Sequence, residues 1–144
     1  MKNNLLPIFS LLLFLAACND NSNKKLQEEV IAIHDEIMPM MGTFVRNSMA
    51  IDSILNNFEE IKINHPEIDT VEQREKLTVL KNEIEDANDS MNSWMHELNL
   101  DYENMSDEEV KKYLEEEKLK ITNINKQFKD VEAESKETLS LYNK

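Results

Sequence analysis

From residue 26 onward, apolar residues recur at alternating spacings of four and three. The first such seam runs Leu26, Val30, Ile33, Ile37, Met40, Phe44, Asn47, Ile51, Ile54, Phe58 and Ile61, apolar at every position but Asn47. That spacing puts one continuous stripe on a helix and excludes a strand, whose sides alternate every second residue. It predicts a long amphipathic helix over residues 24–64. His65 and Pro66 should end it, because the residue before a proline is pushed out of helical geometry. The chain has 1 Gly and 3 Pro, which agrees with a helical fold.

A second seam follows: Leu77, Leu80, Ile84, Ala87, Met91, Trp94 and Leu98. Thr70 with Gln73, or Asp69 with Glu72, is placed to cap its start. Residues 99–105 read as a connector. Ser106 with Glu109 then forms another capping-box signature, with acidic residues at the positive end of the helix dipole. The third seam is Val110, Leu114, Glu117, Ile121, Ile124, Phe128, Val131, Ser135, Thr138 and Tyr142, turning polar toward its end. Short connectors make neighbouring helices antiparallel. The expected fold is all-α, an up-down-up three-helix bundle with coiled-coil-like packing and helices over about 24–64, 70–98 and 107–142. An extended coiled coil between chains is the alternative.

The first 18 residues carry a different signal. Lys2 is followed by an apolar run over 5–15 and then Leu15-Ala16-Ala17-Cys18. The run has the length of a signal h-region and is well short of the roughly 20 residues needed to span a bilayer. The four residues ending in Cys18 resemble the bacterial lipobox. That resemblance implies removal of residues 1–17 and a covalent lipid on Cys18, an anchor of several acyl chains. Cys18 is the chain's 1 cysteine, so no disulfide framework is available. The polar segment 19–25 reads as a flexible tether between the lipid and the folded part, which occupies 26–144.

The net charge of −13 argues against nucleic acid as a partner and leaves cations or a basic protein face. The sequence contains no phosphate-binding glycine loop, no Cys cluster, no His-Glu-x-x-His motif and no motif pairing a nucleophile with a base, so an enzyme is not expected. Methionine is the unusual residue, with 8 in the chain. Four of them crowd into Met38, Met40, Met41 and Met49. Folding the chain back sets His34, Met38 and Met41 level with Met91, Trp94 and Met95, and with Leu114 and Glu117. Thioethers and an imidazole make a soft ligand set suited to Cu(I) or Ag(I), and an indole can lie over such a cation. The candidate ligands are His34, Met38, Met41 and Met95.

Plainer roles compete with that reading. Met40 and Met91 lie on seams and are expected in the core. Trp94 is expected to close the bundle end with its N–H toward water. His34 sits just off the seam, where Asp35 or water can satisfy it. Glu117 is a seam carboxylate that needs a partner if buried. His34 is one candidate partner, and bending outward to solvent is the other option. His96 falls on the outer face and His65 in a connector. Pro39, inside the first helix, removes a backbone hydrogen bond and should kink it near Gly42.

At His34-Asp-Glu-Ile-Met-Pro-Met-Met-Gly42, at Trp94-Met95 and over 113–121 the chain resembles a family of small lipoproteins from Bacteroidota-type bacteria. Its members carry His-Asp-Glu-x-Met-Pro-x-Met-Gly and a Trp-Met pair, and are often described as viral A-type inclusion proteins. The resemblance implies a small helical lipoprotein and no particular activity. The ending Leu-Tyr-Asn-Lys144 also resembles lipoproteins joined to peptidoglycan through a terminal lysine. Three functional expectations follow. The first is a non-enzymatic helical module of the cell envelope that is lipid-anchored, facing the periplasm from the outer membrane, and binds another envelope protein or stiffens the envelope. The second is a periplasmic Cu(I) or Ag(I) binder, and the third a peptidoglycan-linked lipoprotein.

Overall fold

The computed structural model describes residues 19–64, 66 and 69–142. Among them the fold is all-α: α1 (Asn19–Asn56), α2 (Phe58–Asn64), α3 (Thr70–Glu97) and α4 (Asp107–Ser140). The first heptad stripe therefore forms two helices. Asn57 interrupts it: its N–H is shared between Ser53 O at 3.2 Å and Ile54 O at 3.0 Å, while its Nδ2 donates to Ser53 O at 2.8 Å. An asparagine amide that competes for a backbone carbonyl tightens the last turn and ends the helix there. Pro39, by contrast, lies inside α1 and exposed, and the helix continues through it.

The expected tether is not a separate coil. Residues 19–25 belong to α1, and Asn23 is buried with its Nδ2 donating to Asp107 O at 2.8 Å. Asn23 lies seven residues before Val30, so it continues the stripe with a polar residue that finds a partner across the interface. Composition alone suggested solvation; the register supplies the contact.

The caps follow the sequence closely. Asp69, rather than Thr70, caps α3, accepting from Val71 N at 3.0 Å and Glu72 N at 3.2 Å. Ser106 and Glu109 make the reciprocal box at the start of α4. Hydrogen bonding to the Ser106 backbone N–H, and then to its hydroxyl, holds the Glu109 carboxyl below its ordinary range.

Cross-helix pairs define the packing. Glu29 meets Lys118 at 2.7 Å and Glu36 meets Lys129 at 2.8 Å, so numbers rise together along α1 and α4. Asp52 meets Lys81 at 2.6 Å and His34 lies beside Trp94, so numbers run oppositely along α1 and α3. Every seventh residue of the stripe is fully buried: Val30, Ile37, Phe44, Ile51 and Phe58. Ile33, Met40 and Met41 flank that line and pack on the core only partly buried. Such a pattern results when a helix sits over the groove between two others, with one position innermost and its neighbours leaning to either side.

Candidate functional site

The end of the fold near the start of α1 gathers most of the polar core. Trp94 on α3 is buried, and its Nε1–H donates to Glu117 Oε2 on α4 at 2.8 Å. The other carboxylate oxygen accepts from Lys120 Nζ at 2.7 Å. Glu117 is only 3% exposed, so both of its acceptors are used inside the fold. The ion pair with Glu117 raises the Lys120 ammonium above its ordinary value. Two expectations are thereby corrected. Trp94 does not point its N–H to water, and His34 is not the partner of Glu117. A donor fixed within the core leaves no need for a ring near the surface, and the short reach of indole to carboxylate settles the pairing.

His34 instead has its Nδ1 at 2.8 Å from Asp35 Oδ1, while its ring centroid lies 6.1 Å from that of Trp94 with the planes tilted by 39°. It is a quarter exposed. The expectation that Asp35 satisfies it holds, and so does the level it shares with Trp94. Met38 is exposed, Met41 and Met95 are partly buried against the core, and Met91 is fully buried. Met41 lies two turns from His34 on the same face, about 10 Å along the axis. His96 is exposed on α3. Pro39 is on the outer face of α1, with its carbonyl accepting from Thr43 Oγ1 at 3.4 Å.

Tyr113 and Tyr102 were not anticipated from the seams. The Tyr113 hydroxyl accepts from Asn99 N–H at 2.8 Å, tying the connector to α4, and the Tyr102 ring packs beside it with centroids 6.1 Å apart. Burial, then the neighbouring Tyr113 and Glu117, pushes the Tyr102 phenol above its ordinary value. A tyrosine in a short connector next to a capping box was the available signal.

Among the described residues no group of three or more His, Cys, Asp or Glu side chains converges as a metal site would require. No helix among those residues is long and apolar enough to cross a membrane. The expectations for Cys18, His65 and Lys144 fall outside the described residues. Comparison with protein-family models, curated proteins and solved structures found no match.

Proposed function

We propose that the chain is a bacterial lipoprotein, lipidated on Cys18 and held on the periplasmic face of the outer membrane. Its folded part, an up-down-up three-helix bundle, is a non-enzymatic interaction module of the cell envelope. The opposed and parallel contact pairs among α1, α3 and α4 support that topology. The observation carrying the interaction reading is the exposed flank of α1 that borders α3 and runs outward from it. Met38, Val45 and Met49 are exposed there at 40%, 55% and 68%, and Pro39 and Gly42 lie between them. A Cβ built on Gly42 would meet only the end of the Arg46 side chain at 3.7 Å, so nothing in the fold itself requires a glycine there. An apolar stripe around a bare backbone lets a second helix approach closely.

Because α1 begins at Asn19, the bundle starts next to the proposed anchor. His34 and the stripe lie within roughly 20–45 Å of helix axis from it, at 1.5 Å per residue. A partner is therefore sought within about 45 Å of the anchor. Two measurements test the reading. Alkyne-palmitate should label the full chain in cells, and Cys18→Ser should abolish the label. A photo-crosslinking residue at Val45 should capture an envelope protein that one at Lys126, on the charged outer face of α4, does not. Equal capture from both positions, or none from Val45, would remove the interaction reading.

A further inference from the structure

We propose that the groove between α1 and α3 holds a soft monovalent cation, Cu(I) or Ag(I), on His34 Nε2 and the thioethers of Met38 and Met95, with the Trp94 indole alongside. The first observation is the state of His34. The Asp35 contact at 2.8 Å engages Nδ1, and in the neutral ring with its proton on that nitrogen Nε2 is the one left to ligate. A carboxylate holding the far nitrogen is the arrangement that orients a ligating imidazole.

The second observation is the register of the groove. Arg74 and Lys81, seven apart on α3, both reach across to α1. Arg74 Nη1 donates to Leu55 O at 3.2 Å, with its guanidinium 4.7 Å from the Phe58 ring centroid. Lys81 Nζ lies 2.6 Å from Asp52 Oδ1. Because α1 buries every seventh residue from Val30 to Phe58, the seven-residue repeat holds along the whole groove. Two repeats on from Lys81 is Met95, and two repeats back from Asp52 is Met38. Met95 thus stands toward Met38 as Lys81 stands toward Asp52, with sulfur in place of charge.

The third observation fixes the imidazole at that same place. His34 is one turn from Met38 on α1 and its ring lies 6.1 Å from Trp94, the residue before Met95. An imidazole nitrogen and two thioethers beside an indole face form a donor set for a soft d10 ion and a poor one for a hard divalent ion. Met41, two turns away, is not part of it.

The test is a titration of the full chain, carrying Cys18→Ser so that its thiol does not compete, with Ag(I) in the presence of a competing soft ligand. Trp94 is the 1 tryptophan and reports the site directly. Quenching with an equimolar endpoint is expected. Met38→Leu with Met95→Leu should abolish the endpoint while helical circular dichroism persists, since leucine keeps the volume. Met41→Leu should titrate as the parent does, and Asp35→Asn should weaken binding about tenfold. Absence of quenching, or an unchanged endpoint in the double Met variant, overturns the site. If that variant loses its helicity, His34→Gln decides instead, because quenching that survives it also overturns the proposal.

Discussion

Two layers of the core, about 16 Å apart along α4, solve the same packing problem in opposite ways. In one, Phe44 and Phe128 stack with centroids 4.9 Å apart and planes within 3° of parallel. In the other, the same kind of seam position holds Glu117, whose carboxylate is consumed by Trp94 and Lys120. The phenyl layer is satisfied by any arrangement that keeps the rings dry. The indole–carboxylate layer is satisfied only when α3 and α4 stand in one register, since a shift by one turn would strand a buried charge. The apolar layer therefore supplies stability, and the polar layer fixes the register of α3 against α4 at the end where His34 lies beside Trp94.

Substitutions should separate these roles. Phe128→Ala removes a fully buried ring and is expected to cost about 3–5 kcal/mol in denaturant unfolding. Trp94→Phe keeps most of the packing but leaves Glu117 Oε2 without its donor, with an expected cost of about 2–3 kcal/mol. Adding Glu117→Met to Trp94→Phe should restore stability to within about 1 kcal/mol of the parent, because a hydrophobic replacement needs no partner. Register should then loosen, seen as faster hydrogen exchange at the Asn99 N–H that Tyr113 holds. If the double variant stays as unstable as Trp94→Phe, the polar layer contributes stability directly and the contrast between the layers fails.

The heptads made much of this legible. Helix type, the stop before Pro66, the Ser106–Glu109 box and the shared level of His34 and Trp94 all follow from spacing and cap chemistry. What was not legible depended on contacts rather than patterns. Asn23 reads as solvated until Asp107 O is found beside it. Glu117 has His34 or solvent open to it in sequence terms, and only the fold shows that the indole reaches it. Asn57 looks like any polar residue in a helix, yet its amide competes for Ser53 O and breaks the element, whereas Pro39, the stronger breaker by composition, sits where the helix tolerates it. Met41 and Met95 are indistinguishable by residue type, and the level of each is set by the register of α1 against α3.

A place beside the α3–α4 seam offers the smallest and most specific test of the contrast. Glu83 has a buried Oε2 without a hydrogen-bond partner, and its neighbour across the interface is a second carboxyl, Glu134, where Glu117 has the Trp94 indole. Burial, then the Glu134 charge across the interface and a hydrogen bond shared with that carboxyl, and last Asp86 on its own helix, raise its carboxyl above the ordinary 4.5. A group with a raised folded value destabilises the fold when charged, and that penalty is relieved as pH falls through the folded value toward the unfolded one. Glu29 and Glu36 behave in the opposite sense. Lys118 lowers the first, and Lys129 with Asn125 lowers the second. Their stabilisation is present above 4.5 and is lost as pH falls through their depressed values. Glu83→Gln should therefore raise Tm at pH 7 by no more than about 5 °C. The gain should shrink on acidification and vanish below the ordinary carboxyl value, while the parent loses stability there through Glu29 and Glu36. A gain that persists unchanged in acid would show that Glu83 acts through packing, and that a carboxylate beside the seam is tolerated here without a charge penalty.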